Sequence, residues 1–163
     1  MIGRVAAFLA LFFLLQGLWA GARGSAFERA VIDRATVGSA TAAINLLTPE
    51  VRATAAGTRI RAAGGGLNIL NGCEGVEVLF LLLAALAVLR QPWRRCLAGM
   101  ALATAFVFVL NQFRILALFY AYRVDKPLFG LLHGVVAPVA LIALSALFLA
   151  AWTKLGAGGA AQR

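Results

Sequence analysis

Cysteine, histidine and arginine together can carry out acyl transfer: a thiolate attacks a carbonyl, an imidazole takes or returns a proton, and a guanidinium holds a developing oxyanion or a carboxylate. The chain has two cysteines and one histidine, so few such sets exist. Cys73, Arg114 and His133 form the candidate set, with Glu77 and Asn111 as residues that could orient it. Asn111 precedes Arg114 by three residues and shares its face on a helix. Glu77 follows Cys73 by four and shares its face if a helix starts at the cysteine. Each has a plainer use when taken singly. A cysteine beside an apolar run packs as a small hydrophobe, a histidine at a helix start is an interfacial polar group, and an arginine near a span end snorkels to headgroups. Glu77 can be a solvated carboxylate and Asn111 an interhelical hydrogen bonder. Only positioning elements that bring the three to one level make chemistry the better reading.

Those elements are membrane helices. Of 163 residues, 63% are hydrophobic and 13% charged, and the mean hydropathy is +0.91, which excludes a water-soluble domain with its roughly 25% charged residues. Apolar runs long enough to cross about 30 Å of hydrocarbon recur along the chain. The formal charge of +9 lies mainly between apolar runs rather than along a polar stripe, so nucleic acid is not expected as a partner. The spacing predicts about four spans: Val5 to Ala22, Val76 to Leu89, Cys96 to about Tyr120, and Leu131 to Trp152. The first is either a span or a secretory signal, since Ala20-Gly21-Ala22 has the small-x-small form of a cleavage site; in both cases the segment after it is exported. The second could begin as early as Cys73. Gly130 and Gly134 flank His133 at a spacing that lets a helix approach a neighbour closely, and Pro138 should kink the fourth span just below.

Residues 23–72, with six arginines, three acids and a triple glycine around Gly65, cannot sit in lipid. Phe27, Ala30, Val31, Arg34 and Val37, with Leu46 and Leu47 beyond, recur at three and four, predicting an amphipathic helix on the membrane that ends at Thr48-Pro49. Thr58–Arg61 and Leu67–Asn71 alternate partly and flank the glycines, predicting a short β-hairpin.

Orientation follows from the basic residues, because short loops rich in them stay in the cytoplasm. Arg4, the loop arginines 90, 94 and 95, Lys154 and Arg163 share one side without an acid; that side is read as cytoplasmic. Cys73 then lies at the exported end of the second span. Arg114, about 27 Å along a helix from Cys96, reaches the same level, and His133 starts the descending fourth span. Three helices thus supply one cysteine, one arginine and one histidine at one interface. Cys96 lies a membrane thickness away and cannot form a disulfide with Cys73. Without a Cys-x-x-Cys motif, a thiol oxidoreductase is disfavoured.

Asn71-Gly72-Cys73-Glu74-Gly75 opening a span, Asn111-Gln112-Phe113-Arg114 ending the next and His133-Gly134 opening the last resemble the Cys-x-Gly, Asn-x-x-Arg and His pattern of the exosortase/archaeosortase family, over roughly residues 58 to 152. The glycine-rich hairpin and the Trp93-Arg94-Arg95 turn resemble small exosortases as well. The resemblance implies a multi-pass enzyme of the bacterial inner membrane with its active site facing the periplasm. Its substrates would be secreted proteins bearing a C-terminal motif, a transmembrane helix and a basic cluster, as in the PEP-CTERM class, cleaved through a thioester and passed to an acceptor. It implies Cys73 as nucleophile, His133 as general acid/base and Arg114 as the group that stabilises the oxyanion or positions substrate. Two departures stand out: larger exosortases have about eight spans, and Glu74 occupies a position where the pattern favours a small or polar residue.

The expected fold is an all-α integral membrane protein of about four transmembrane helices plus an exported segment with an amphipathic helix and a short β-hairpin. Its parts are 1–22, an N-terminal transmembrane helix or signal peptide; 23–72, the exported segment; 73–152, a three-helix catalytic core; and 153–163, a cytoplasmic tail. The expected function is a cysteine protease/transpeptidase whose partners are secreted substrates and the lipid bilayer, with no cofactor or metal. The alternative is a non-catalytic membrane subunit of an assembly or secretion system. A small permease is disfavoured because spans two to four carry no charge near the bilayer middle.

Overall fold

The computed structural model describes residues 2–69 and 72–160. Leu70 and Asn71, the end of the expected hairpin and the start of the motif around Cys73, lie outside them, as do residues 161–163 of the tail.

The uncharged run that follows Arg4 forms helix α1 (Ile2–Gly21). Helix α2 occupies 26–47 as one rod with a π-helical middle: Ala26–Arg29, Ala30–Gly38 and Ser39–Leu47. Ser25 caps it, accepting from the Glu28 amide at 3.2 Å. Ile32, Thr36, Val37, Ala40, Thr41 and Ile44 are its buried face, which gives the expected amphipathic helix. That face packs on protein, however, against the sheet and a long helix, rather than only on a membrane surface.

The expected hairpin is there, with one strand more. Strands β2 (Arg59–Arg61) and β3 (Leu67–Asn68) pair antiparallel across the glycine turn, and β1 (Thr54–Ala56) adds to the other edge of β2, Ala55 opposite Ile60. A Cβ on Gly66 would overlap the Ile60 carbonyl oxygen, so only glycine admits that pairing.

Helix α3 (Val76–Val88) has thirteen residues, about 20 Å of rise against about 30 Å of hydrocarbon. Among the described residues, three other helices are long and apolar enough to cross a membrane: Ile2–Gly21, Trp93–Val124 and Lys126–Leu155. The expected four spans are therefore three full-length helices and one short apolar one. Helix α4 (Trp93–Val124) has 32 residues and continues past Tyr120, where the third span was expected to end. Asp125 alone separates it from α5, which runs through Lys126–Leu131, a π segment Leu132–Val136, and Ala137–Ala160. Asp125 leaves the helical region (φ −151°) and its carboxylate accepts from the Leu128 amide at 3.3 Å, while Pro127 fits the first turn where no amide partner is needed.

Two apolar clusters result. The lower one joins Leu82 and Leu86 of α3 to Ala103 and Val107 of α4, with Phe148 and Trp152 of α5 against it. The Arg90–Trp93 turn is knitted to the end of α5: Trp152 donates to Gln91 at 3.1 Å, and Arg95 donates to the Trp152 carbonyl at 2.6 Å. The upper cluster joins Trp19, the buried face of α2, Ile60 and Ile69 of the sheet region, Val76, and Ile115 and Phe119 of α4. The upper part of α4 is thus the post on which residues 23–69 are built. Tyr120 shares a 2.9 Å hydrogen bond with Thr48, and Arg123 donates to the Ala63 and Gly65 carbonyls at 2.6 and 3.3 Å.

Candidate active site

Cys73 lies in a tight loop between two glycines in the left-handed region, Gly72 at φ 92° and Gly75 at φ 77°. L-residues pay for that conformation, so glycines are what allow the chain to turn into α3 here. The turn is also a close approach: a Cβ on Gly75 would come 3.1 Å from Asn111 Cγ. The cysteine loop is therefore pressed directly on the Asn111 side chain of α4, and Arg114 stands on the same face of α4 one turn above. Cys73 is half-buried, against the upper cluster.

Four side chains around this loop hold buried polar atoms without a partner among the described residues: Glu74 Oε2, both amide atoms of Asn111, Gln112 Oε1 and Arg114 Nε. Buried polar groups in folded proteins are nearly always paired, and each orphan costs about 1–3 kcal/mol. Glu74 directly follows Cys73, and Asn111, Gln112 and Arg114 fall within one turn of α4, with the Gln112 side chain turned towards Thr36. By type, the Asn111 amide NH₂ and Arg114 are donors, and Asn111, Gln112 and Glu74 carry acceptor oxygens.

Glu74 is 8% exposed, and its Oε1 accepts a hydrogen bond from Trp19 Nε1 at 3.2 Å. Sequence reasoning missed this pair, because nothing local links a tryptophan at the end of α1 to a carboxylate 55 residues on. Gln112 was missed too; its amide reaches the Thr36 carbonyl at 3.5 Å. Glu77, the expected orienting carboxylate, is exposed in the first turn of α3. Since the helix begins at Val76, Cys73 and Glu77 have no common helical face, and the buried carboxylate is Glu74 instead.

His133 lies in the π segment of α5, which packs against α4. Its ring stacks on Phe129 with centroids 5.4 Å apart and 5° between planes, and Phe129 meets Tyr122 edge-on at 5.3 Å. The imidazole is exposed, and among the described residues no hydrogen bond joins it to Cys73 or Arg114. The structure thus sets Gly75, two residues after Cys73, against Asn111, three residues before Arg114 on α4, and leaves His133 on the neighbouring helix, held by aromatic stacking. π segments interrupt helices frequently at functional sites, where they re-aim side chains. Gly130 and Gly134 have no neighbour within 4 Å of an added Cβ among the described residues, so the expected close helix approach is not seen there; a close approach is at Gly99, where a Cβ would meet Trp152 at 2.9 Å. Cys96, in the first turn of α4, is free and sits against the Leu86 carbonyl at 3.7 Å.

A family model described as transmembrane exosortase (Exosortase_EpsH) matches residues 2–151 of this chain. No curated protein and no solved structure matches it.

Proposed function

The chain belongs to the transmembrane exosortase family, and on that premise we propose that it is a cysteine transpeptidase that cuts C-terminal sorting signals from secreted proteins at the periplasmic face of the bacterial inner membrane. The observation that carries the reading is the contact of Gly75 with Asn111, which presses the Cys73 loop onto α4 one turn from Arg114; Asn111 and Arg114 both hold buried polar atoms without a partner among the described residues.

The roles follow from the chemistry of each group. The Cys73 thiolate attacks the scissile carbonyl, forming a C–S bond and an oxyanion that Arg114 and the Asn111 amide neutralise. The C–N bond breaks, and His133 gives its proton to the departing amine, leaving a thioester on Cys73. An incoming amine or water, its proton taken by His133, then attacks the thioester; the C–S bond breaks, and the thiolate and the protonated His133 are restored. In this scheme His133 acts on the nitrogen of the substrate, which lies between the two helices, so it needs no hydrogen bond to the thiol before substrate binds. The Arg90, Arg94 and Arg95 turn supports a cytoplasmic lower end, which sets the site towards the periplasm.

The test is co-expression with a secreted reporter that ends in a short motif, a transmembrane helix and an arginine cluster. Cys73→Ala, Arg114→Ala and His133→Ala should each reduce processing by at least about 100-fold, and Cys96→Ala should leave it unchanged. The second reading, a non-catalytic membrane subunit, draws on the exposure of His133 and its lack of a bond to Cys73 among the described residues; it requires that the three variants process, or assemble, like the parent.

A further inference from the structure

His133 has to give a proton to the departing nitrogen and take one from the incoming nucleophile, so its ring must be held in one orientation with its nitrogens open. A carboxylate or carbonyl commonly does this by accepting from the second ring nitrogen. Among the described residues no hydrogen bond reaches either ring nitrogen of His133, and the ring is exposed. An exposed side chain left to itself samples several rotamers, so a contact of another kind has to aim this one.

That contact is with Phe129. It stands four residues earlier on α5, on the same helical face, and the two ring centroids are 5.4 Å apart with 5° between the planes. Stacking of this kind grips the imidazole by its face and leaves both nitrogens, which lie on the ring edge, free to exchange protons. It also survives the change of charge, because a phenyl face attracts a cation as well as a neutral ring. An aromatic pair is worth about a two- to tenfold bias towards the stacked arrangement.

Phe129 is itself held. It is half-buried, and Tyr122 of α4 meets it edge-on across the Asp125 corner, at 5.3 Å and 76°. Tyr122 backs onto the glycine turn of the sheet: a Cβ on Gly65 would lie 3.0 Å from Tyr122 Cε1. The turn is fastened to the next residue of α4, since Arg123 donates to the Ala63 and Gly65 carbonyls. Contacts thus run without a gap from the exported sheet through Tyr122 and Phe129 to the imidazole. The top of α5 depends on them, because Lys126–Leu131 and Leu132–Val136, the segments around His133, contain no buried residue.

We propose that Phe129 is the positioning residue for His133, with Tyr122 as its brace, so that aromatic stacking takes the place of a hydrogen-bonded orienting group. The inference rests on the transpeptidase reading, in which His133 moves the protons, and adds what aims it. A plain packing role for Phe129, covering apolar surface at the top of α5, would bring losses that do not depend on His133.

Rates of the full-length chain with Cys96→Ala, purified in detergent and given the sorting-signal reporter, separate the two. Phe129→Leu keeps an apolar side chain and removes the ring; it should lower kcat about fivefold with KM within about twofold of the parent. Phe129→Tyr retains a stacking ring and should keep kcat within about twofold, while Tyr122→Leu should lower it about threefold. In a His133→Ala background, Phe129→Leu should have no further effect on the residual rate. Maleimide labelling of Cys73 should be as fast in Phe129→Leu as in the parent, which reports an intact nucleophile loop. A loss that persists in the His133→Ala background, or slower labelling of Cys73, marks a packing role and overturns the proposal. If Phe129→Leu matches the parent while His133→Ala is slow, the positioning role is overturned and the transpeptidase reading stands. If His133→Ala itself processes like the parent, that reading falls and the positioning role with it.

Discussion

Trp19 at the end of the first helix donates a 3.2 Å hydrogen bond to Glu74 beside the candidate nucleophile. The pair crosses 55 residues of sequence and ties the N-terminal helix to the loop that carries Cys73. One oxygen of a buried carboxylate is thereby satisfied while the other is free among the described residues. Trp19→Phe keeps an aromatic ring and removes the donor. It should cost about 1.5–3 kcal/mol of stability, as for loss of a hydrogen bond to a charged group, and Glu74→Gln combined with it should cost less than the sum of the two. A double-mutant cycle from reporter processing and from thermal unfolding in detergent measures the coupling.

Gly75 is where the nucleophile loop meets α4. Gly75→Ala places a side chain at φ 77° and a Cβ 3.1 Å from Asn111, at a cost of about 1–3 kcal/mol for the conformation alone. Processing should fall by at least tenfold. Gly134→Ala, beside His133 but facing open space, should process within about twofold of the parent. Rate measurements on the two variants at matched expression decide it; equal rates would remove any role for the Gly75 contact.

Asn111 separates function from packing. Its amide is 1% exposed and unpartnered at both atoms among the described residues, so Asn111→Leu, of similar shape, removes an unmet burial cost. Thermal stability should be unchanged or higher by about 1–2 kcal/mol, while processing falls by about tenfold or more. A residue there only for packing would lose stability and activity together.

Arg123 ties the glycine turn of the sheet to the top of α4 through the Ala63 and Gly65 carbonyls. Arg123→Ala should speed amide hydrogen exchange of residues 62–66 by about tenfold, for a loss near 1.4 kcal/mol, with little change at Leu82 or Ala103 in the lower cluster.

The parts of this fold that are visible in the sequence are those set by local hydrophobic pattern. The uncharged run of α1, the three-and-four spacing of α2 and the glycine-flanked pair β2–β3 are of this kind. What was not visible depends on partners distant in sequence. Tyr122 and Arg123 fall between the expected third and fourth spans, yet they are helical, and Arg123 and the nearby Tyr120 find acceptors and hydroxyls on residues 48–65. Thr54–Ala56 has weak strand propensity and becomes β1 only by pairing with β2. Glu74 stood out in the sequence only as a departure from the family pattern, and Glu77 as the orienting carboxylate; the pairing with Trp19 goes with burial of Glu74 instead. The π segments leave no compositional trace, so the aim of His133 could not be read from spacing.

The central claim is that the Cys73 sulfur becomes covalently bonded to substrate, and intact-mass spectrometry of the purified protein after incubation with the reporter tests it most directly. With the reaction quenched in acid while turnover is under way, the expected result is a mass increase equal to the acyl portion of the reporter, mapped to the peptide containing Cys73, absent in Cys73→Ala and removed by hydroxylamine as a thioester is. Cleavage of the reporter by the parent with no hydroxylamine-labile adduct at Cys73, or with the adduct at Cys96, would contradict it.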